Sequence, residues 1–92
     1  MVTGKNEVIY MITVKVKLYG HLKRYYPEAQ KDPSQSFSIN IPEGSTAKDL
    51  AQKLNLPDDE TELVFINNHK ETFERKLENG DEVVIFPLIA GG

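Results

Sequence analysis

Apolar and polar residues alternate along two stretches in the first half of the 92-residue chain. These stretches are residues 12–18 and 36–41, with apolar side chains at Ile12, Val14, Val16 and Leu18 and then at Phe37, Ile39 and Ile41. Successive side chains of a strand point to opposite faces, so both patterns predict strands buried on one face. The polar segment over residues 27–35 carries two prolines and predicts a loop, so we expect an antiparallel hairpin.

A short helical turn is predicted directly after the first strand. Gly20 interrupts the alternation, and residues 21–26 follow. In a helical turn, Leu22 and either Tyr25 or Tyr26 would pack inward.

The main helix is predicted just after residue 45. Thr46 and Asp49 have the spacing of a capping box, in which each side chain accepts a hydrogen bond from the other's backbone N–H. Apolar residues then recur at the spacing i, i+3, i+4 and i+7, which puts them on one helical face. They are Ala47, Leu50, Ala51 and Leu54. Pro57 lies beyond the end of this helix of two to three turns.

The second half of the chain predicts two more strands. Residues 63–66 and 83–86 are short apolar runs, and Asn67-Asn68 and Asn79-Gly80 are turn-forming pairs. We expect residues 69–77 to be irregular and anchored by Phe73 and Leu77. The element order β-β-α-β-β predicts an α+β fold, with one helix against one sheet.

Composition narrows the classes of function. The chain has no cysteine, which excludes disulfides, cysteine-ligated metals and a cysteine nucleophile. Its net charge of −3 argues against nucleic acid as a partner. His21 and His69 have no companion ligand at metal spacing, so we expect no metal site. No apolar run reaches bilayer length and the N-terminus has no signal-peptide pattern, so we expect a cytoplasmic protein without a membrane partner.

The residues present also argue against an enzyme. No Ser/His/Asp grouping, phosphate-binding glycine loop or pair of carboxylates suited to acid–base catalysis is evident. The acidic run Asp58-Asp59-Glu60 is interpreted as a solvated loop and a polar cluster at the end of the helix. We therefore expect a protein that acts through its partners.

The last predicted strand is apolar on both faces. Val83 and Ile85 alternate with Val84 and Phe86, whereas a single helix covers only one face of a sheet. Val84 and Phe86 are therefore expected to form an exposed docking surface. The alternative is that residues 19–27 cover them.

The C-terminal sixteen residues carry a more specific pattern. Leu77, the run Gly80-Asp81-Glu82-Val83, Pro87 and a final Gly91-Gly92 follow one another at a spacing that resembles the MoaD/ThiS family of ubiquitin-like sulfur carriers. Within that family the pattern is most similar to the small subunit of molybdopterin synthase. One departure is Leu88, where many relatives carry a second proline, and we expect it to loosen the tail slightly.

The resemblance implies a ubiquitin-like β-grasp fold with a mixed sheet of four to five strands. It places the β-grasp domain at residues 11–87 and a flexible tail at residues 88–92. Residues 1–10 then form an N-terminal extension, and Met11 is an alternative start.

The resemblance also implies a function for the tail. A carboxylate is a poor electrophile, so an adenylating enzyme of the ubiquitin-activating type would use ATP to activate Gly92, which would then become a thiocarboxylate. The sulfur would go to a pterin precursor on the large subunit of molybdopterin synthase, for molybdenum or tungsten cofactor. The chain itself would bind no cofactor and would be a monomer when free. The implied tail and partner-binding residues are Gly91, Ala90, Ile89, Leu88, Pro87, Phe86 and Val84.

Three alternatives remain open. The sulfur could go to the thiazole of thiamin, Gly92 could be joined to lysines of target proteins as ubiquitin is, or the chain could be an interaction module without chemistry.

Overall fold

The computed structural model describes residues 8–31 and 36–88. Five strands and one α-helix form the framework, and three short 3₁₀ helices connect them. The strands are β1 (Met11–Leu18), β2 (Ser36–Pro42), β3 (Thr61–Ile66), β4 (His69–Glu71) and β5 (Glu82–Pro87). The α-helix is α1 (Ala47–Lys53), and the 3₁₀ helices span Gly20–Tyr25, Pro27–Gln30 and Asp58–Glu60.

The strands form one mixed sheet in the order β2-β1-β5-β3-β4. The pairing of β1 with β5 is parallel, and the other three pairings are antiparallel. The first and last strands of the chain thus lie side by side, with the main helix on one face, which is the β-grasp arrangement. The predicted α+β class, the β1–β2 hairpin and the five-stranded upper limit are confirmed.

One strand was missed, because residues 69–77 were predicted to be irregular. His69, Lys70 and Glu71 pair with Ile66, Phe65 and Val64 in that order. The strand forms because of the turn before it. Asn67 and Asn68 both have positive φ, at 53° and 71°, so the chain reverses within two residues. A polar strand at the edge of a sheet shows no apolar alternation, and its sequence therefore resembles a loop.

The helix-facing side of the sheet holds the core. The strand residues buried there are Ile12, Val14, Val16, Leu18, Ile41, Val64, Ile66, Val83 and Ile85, and the helix contributes Ala47, Leu50 and Ala51, with Leu54 just past its end. Leu22 from the first 3₁₀ helix is fully buried, with Tyr25 and Tyr26 packed against the core, as expected. Phe37 and Ile39 are half-buried, less than predicted, because they lie on edge strand β2.

Two further predictions concerned the anchors Phe73 and Leu77 and the loop at residues 27–35. Leu77 is buried and Phe73 packs against the core, so both anchors are confirmed. The predicted loop at residues 27–35 begins with the 3₁₀ helix Pro27–Gln30, since Pro27 fixes a φ suited to a first helical turn. Residues 32–35 lie outside the described part of the chain.

The capping box of α1 is present as predicted. Thr46 Oγ1 accepts a hydrogen bond from the Asp49 N–H at 3.2 Å, and Asp49 Oδ2 accepts one from the Thr46 N–H at 2.9 Å. With seven residues, the helix makes two turns and cannot rely on its own length for stability. Capping and the burial of Leu50 therefore hold it in place.

We expect Thr46→Ala to lower the free energy of unfolding by about 1 kcal/mol, because the Asp49 N–H loses its partner at the start of the helix. Urea unfolding monitored by circular dichroism measures this. Lys53→Ala, at an exposed position in the last turn of the same helix, is the control and should change little. Equal stability of the two variants would contradict a stabilising role for the cap.

Candidate functional site at the open sheet face and the root of the tail

The face of the sheet away from the helix carries the side chains predicted for docking. Val83 and Ile85 of β5 are fully buried against the helix, while Val84 and Phe86 point to the opposite face and are half-buried. In the strand register Val84 lies opposite Phe65 of β3 and opposite Lys17 of β1. Residues paired across strands share a face. This row therefore extends from β1 through β5 to β3.

Three aromatic rings gather on this open face. The ring of Tyr19 stacks on Phe86 with centroids 4.6 Å apart and planes 5° from parallel, and Phe65 meets Phe86 edge-on at 5.6 Å. With Val84 and Asn68 they line a shallow depression of about 310 Å³. We call Tyr19, Phe65, Val84 and Phe86 the aromatic face.

The aromatic face combines the two alternatives that the sequence left open. Tyr19, from the segment proposed as a cover, lies over one side of Phe86, yet it is itself 38% exposed. Phe65 was not predicted to belong to the site. The sequence pattern that could have identified Phe65 is the same as the one around Phe86. Leu63 and Phe65 alternate with the buried residues Val64 and Ile66, so β3 is apolar on both faces.

Cations flank the aromatic face although the chain is acidic overall. Lys17 Nζ lies 5.1 Å from the centroid of the Tyr19 ring, a cation–π geometry. Lys70 on β4 lies opposite Phe65, and Lys15 lies opposite Glu82. Among the strand residues that the structure describes, Glu82 is the one acid on this face. The open face thus differs in charge from the molecule as a whole.

The tail leaves the domain beside the aromatic face. β5 ends at Pro87, and the Leu88 N–H donates a hydrogen bond to the Glu60 carbonyl at 2.8 Å. The side chain of Leu88 is 48% exposed. Leu88 was expected to loosen the tail, but at this residue the backbone makes a hydrogen bond that proline, without an N–H, could not make. The predicted tail residues Ile89, Ala90, Gly91 and Gly92 lie outside the described residues.

Glu60 also forms a side-chain cluster that the sequence analysis missed. Its Oε1 accepts a hydrogen bond from the Tyr25 hydroxyl at 2.7 Å and lies 2.8 Å from His21 Nε2. The interpretation of residues 58–60 as a solvated loop is therefore wrong for Glu60. Such a pairing has no local signal, because Tyr25 and His21 are 35 and 39 residues away in the chain.

The cluster shifts the acidity of its members. The Tyr25 hydrogen bond is the main cause that lowers the pKa of Glu60, with a smaller effect in the same direction from His21 and an opposing effect of burial. The same hydrogen bond raises the pKa of Tyr25, with burial and the negative charge of Glu60 adding to it. The ionised form of Glu60 is thus the one that the fold favours.

Within residues 8–31 and 36–88, no group of three or more His, Cys, Asp or Glu side chains is placed to hold a metal ion. In that part of the chain, no helix has the length and apolar character needed to cross a membrane.

The lowered pKa of Glu60 predicts a pH-dependent contribution to stability. A carboxyl group whose folded-state pKa lies below its unfolded value stabilises the fold above the unfolded value and loses this effect as the pH falls through the folded value. The stability difference between the wild type and Glu60→Gln should therefore shrink between about pH 6 and about pH 3. Urea midpoints across this range measure it, with exposed Glu62→Gln as the control. A difference that stays constant over the range would contradict the prediction.

Solved structures share this fold. The small archaeal modifier protein 1 of Haloferax volcanii superposes with a TM-score of 0.62 at 17% identity, over 85% of this chain and 99% of that chain. A Pyrococcus furiosus protein assigned as molybdopterin converting factor, subunit 1, gives 0.61 at 21% identity, over 85% and 99%. Small archaeal modifier protein 1 of Methanosarcina acetivorans gives 0.57 at 22%, over 90% and 99%.

Sequence comparison gives the family. No curated protein matches the chain in sequence. The family model described as Mut7-C ubiquitin matches residues 11–91, which is most of the chain. With the shared fold, this confirms the prediction that the chain is a ubiquitin-like protein. The chain belongs to the Mut7-C ubiquitin family.

Proposed function

We propose that this chain is a sulfur carrier for molybdopterin synthesis, with the α-carboxylate of Gly92 as the group that carries sulfur. The proposal takes Gly92 as the last residue of the mature protein. An adenylating enzyme of the ubiquitin-activating type would be its first partner, and the large subunit of molybdopterin synthase its second. The chain would be the carrier in both complexes. The catalytic groups and the ATP would belong to the partners.

The observation that carries the proposal is the adjacency of the tail root and the aromatic face. Phe86 belongs to the aromatic face, and Leu88, two residues later, is exposed at the end of β5. Four residues follow Leu88, and at about 3.3 Å per residue they reach about 13 Å. A partner seated on the aromatic face would therefore have Gly92 within reach of a nearby active site.

Activation of Gly92 and its loading with sulfur take two steps, both in the adenylating enzyme. A carboxylate oxygen of Gly92 attacks the α-phosphorus of ATP and pyrophosphate leaves, which gives an acyl-adenylate. A sulfide-type nucleophile then attacks the acyl carbon, the C–S bond forms, and the C–O bond to AMP breaks. The product is a thiocarboxylate. Its sulfur can attack an electrophilic carbon of a pterin and displace a leaving group there, which gives a thioester. Hydrolysis of the acyl C–S bond of this thioester leaves the sulfur on the pterin and restores the carboxylate of Gly92.

The Gly91-Gly92 ending suits this chemistry. A glycine has no Cβ to obstruct close approach of an enzyme to its backbone, and it adopts φ values that other residues avoid. Since the chain contains no cysteine, it has no thiol on which sulfur could be carried as a persulfide. The C-terminal carboxylate is therefore the group of this chain on which we place the sulfur.

The charges of the open face indicate the charge and polarity expected of the docking partner's surface. Lys17 and Lys70 flank apolar rings, with Lys15 next to Lys17 on the same face of β1. Such a surface fits an apolar side chain bordered by carboxylates, because opposite charges at the rim of an interface favour association. We assign this complementary surface to the adenylating enzyme.

A second candidate is a ubiquitin-like protein modifier, joined through Gly92 to lysines of target proteins. The likeness to two archaeal proteins named as modifiers favours it. It begins with the same adenylate, so the two functions diverge only at the nucleophile, sulfide or a lysine amine. The name of the Pyrococcus furiosus neighbour favours the pterin pathway over the thiazole one.

Incubation with the cognate adenylating enzyme, ATP and sulfide should replace one oxygen of Gly92 by sulfur. Intact-mass spectrometry measures the gain, and fragmentation assigns it to the C-terminal peptide. A variant with one alanine added after Gly92 should gain nothing. An unmodified wild-type chain, or a modified extended chain, would contradict the carrier role. Isopeptide-linked conjugates in cell extract, lost on deletion of Gly91-Gly92, would favour the modifier.

Phe86→Ala should weaken binding to the adenylating enzyme about tenfold, since truncation of a central aromatic anchor at an interface has effects of this size. Isothermal titration calorimetry measures the dissociation constant. The variant should stay folded with reduced stability, because each lost ring contact contributes about 0.5–1.5 kcal/mol. Phe73→Ala is the matched control, a half-buried phenylalanine packed on the opposite, helix-covered side. Equal binding by both variants would contradict docking through the aromatic face.

A further inference from the structure

Three consecutive residues at the root of the tail are each held by a different residue. Phe86 is stacked against Tyr19, Pro87 lies against Gly20, and the Leu88 N–H is bonded to the Glu60 carbonyl. His21 and Tyr25 in turn hold Glu60. We call this group the tail socket, and its members are Tyr19, Gly20, His21, Tyr25 and Glu60.

Gly20 has a specific role in the tail socket. Its φ is +58°, and a Cβ built on it would lie 2.9 Å from Pro87 Cγ, closer than such atoms approach. A side chain at this position would push Pro87 away. The glycine therefore allows the start of the 3₁₀ helix Gly20–Tyr25 to rest directly on the last residue of β5.

Glu60 links the tail socket through both its side chain and its backbone. The carboxylate is fastened to the 3₁₀ helix by Tyr25 and His21, and the carbonyl of the same residue accepts the Leu88 N–H. The side chain thereby adds a second anchor for the carbonyl, beside the pairing of Thr61 with Pro87 in the sheet. Loss of the side-chain contacts would leave that carbonyl on a three-residue helix next to the loop at Pro57, with less to hold it.

We propose that the tail socket is a positioning device that holds the chain at Leu88 and so fixes the point from which Gly92 reaches the adenylating site. Glu60 is its central positioning residue, acting through Leu88 and touching no reacting atom. This inference rests on the proposed function.

We expect loss of the tail socket to weaken binding of the carrier to the adenylating enzyme. With Leu88 held, the segment that the partner must position begins after Leu88. Without the socket, Leu88 must be ordered as well, and ordering a residue costs conformational entropy on binding. The transition state is unchanged once the tail is in place. We therefore expect the KM for the carrier to rise about tenfold with kcat nearly unchanged.

The test compares Glu60→Ala with two other variants. Glu62→Ala is the control, because Glu62 is an exposed glutamate on the neighbouring strand β3. Glu60→Gln keeps an oxygen that can accept from Tyr25 and should restore most of the effect. Two readouts are used: hydrogen exchange of the Leu88 amide in the free protein, and pyrophosphate-exchange kinetics with the cognate adenylating enzyme.

In the wild type and in Glu62→Ala, the Leu88 amide should exchange roughly tenfold more slowly than an unstructured amide. Glu60→Ala should lose this protection and raise KM, while far-ultraviolet circular dichroism shows that it is folded. An unprotected Leu88 amide in the wild type, or lost protection without a change in KM, would overturn the inference. A wild type that shows Leu88 protection but is never adenylated would refute the proposed function, and with it the role of the socket.

Discussion

The parallel pairing of β1 with β5 is the contact on which the rest of the molecule depends. It joins the two ends of the described domain, placing Val16 beside Val83 and Leu18 beside Ile85, all four fully buried. A parallel pair needs a crossover between its strands, and everything from residue 19 to residue 81 provides it. Helix α1 packs inside this crossover. The core can therefore close only when the C-terminal strand is in place, which makes β5 both the centre of the fold and the start of the tail.

That double role explains why β5 is apolar on both faces. One face carries the core residues Val83 and Ile85, and the other contributes Val84 and Phe86 to a surface with Tyr19 and Phe65. A central strand cannot shift its register without turning core residues outward. The aromatic face and the exit point of the tail are consequently fixed relative to each other by the same hydrogen-bond ladder that holds the fold together.

Local sequence was sufficient where the interaction is local. The capping box joins Thr46 to Asp49 across three residues, and the alternation in β1 covers residues 12–18, so both were predictable. The motif Gly80-Asp81-Glu82-Val83 was recognised by resemblance, and the structure supplies its physical reason. Gly80 has φ +88°, and the buried carboxylate of Asp81 accepts from the Glu78 N–H and from the Asn67 side chain. Phe65 in the aromatic face and the cluster around Glu60 were missed because their partners are distant in the chain. Edge strand β4 was missed for another reason, since it pairs with its neighbour β3 but its residues are polar.

These constraints explain why we place the reactive group on the tail and not in the folded domain. A five-stranded domain with one short helix has a core small enough that a reactive group buried in it would compete with packing for the same space. In the proposed function the reactive carboxylate belongs to the tail, so this conflict does not arise. The domain then needs to supply only a surface for the partner and a defined origin for the tail. Tyr19 and Phe86 belong to both, because their stacking forms part of the aromatic face and also the first contact of the tail socket. In the proposed function, docking and delivery of the C-terminus are thus joined through one pair of rings.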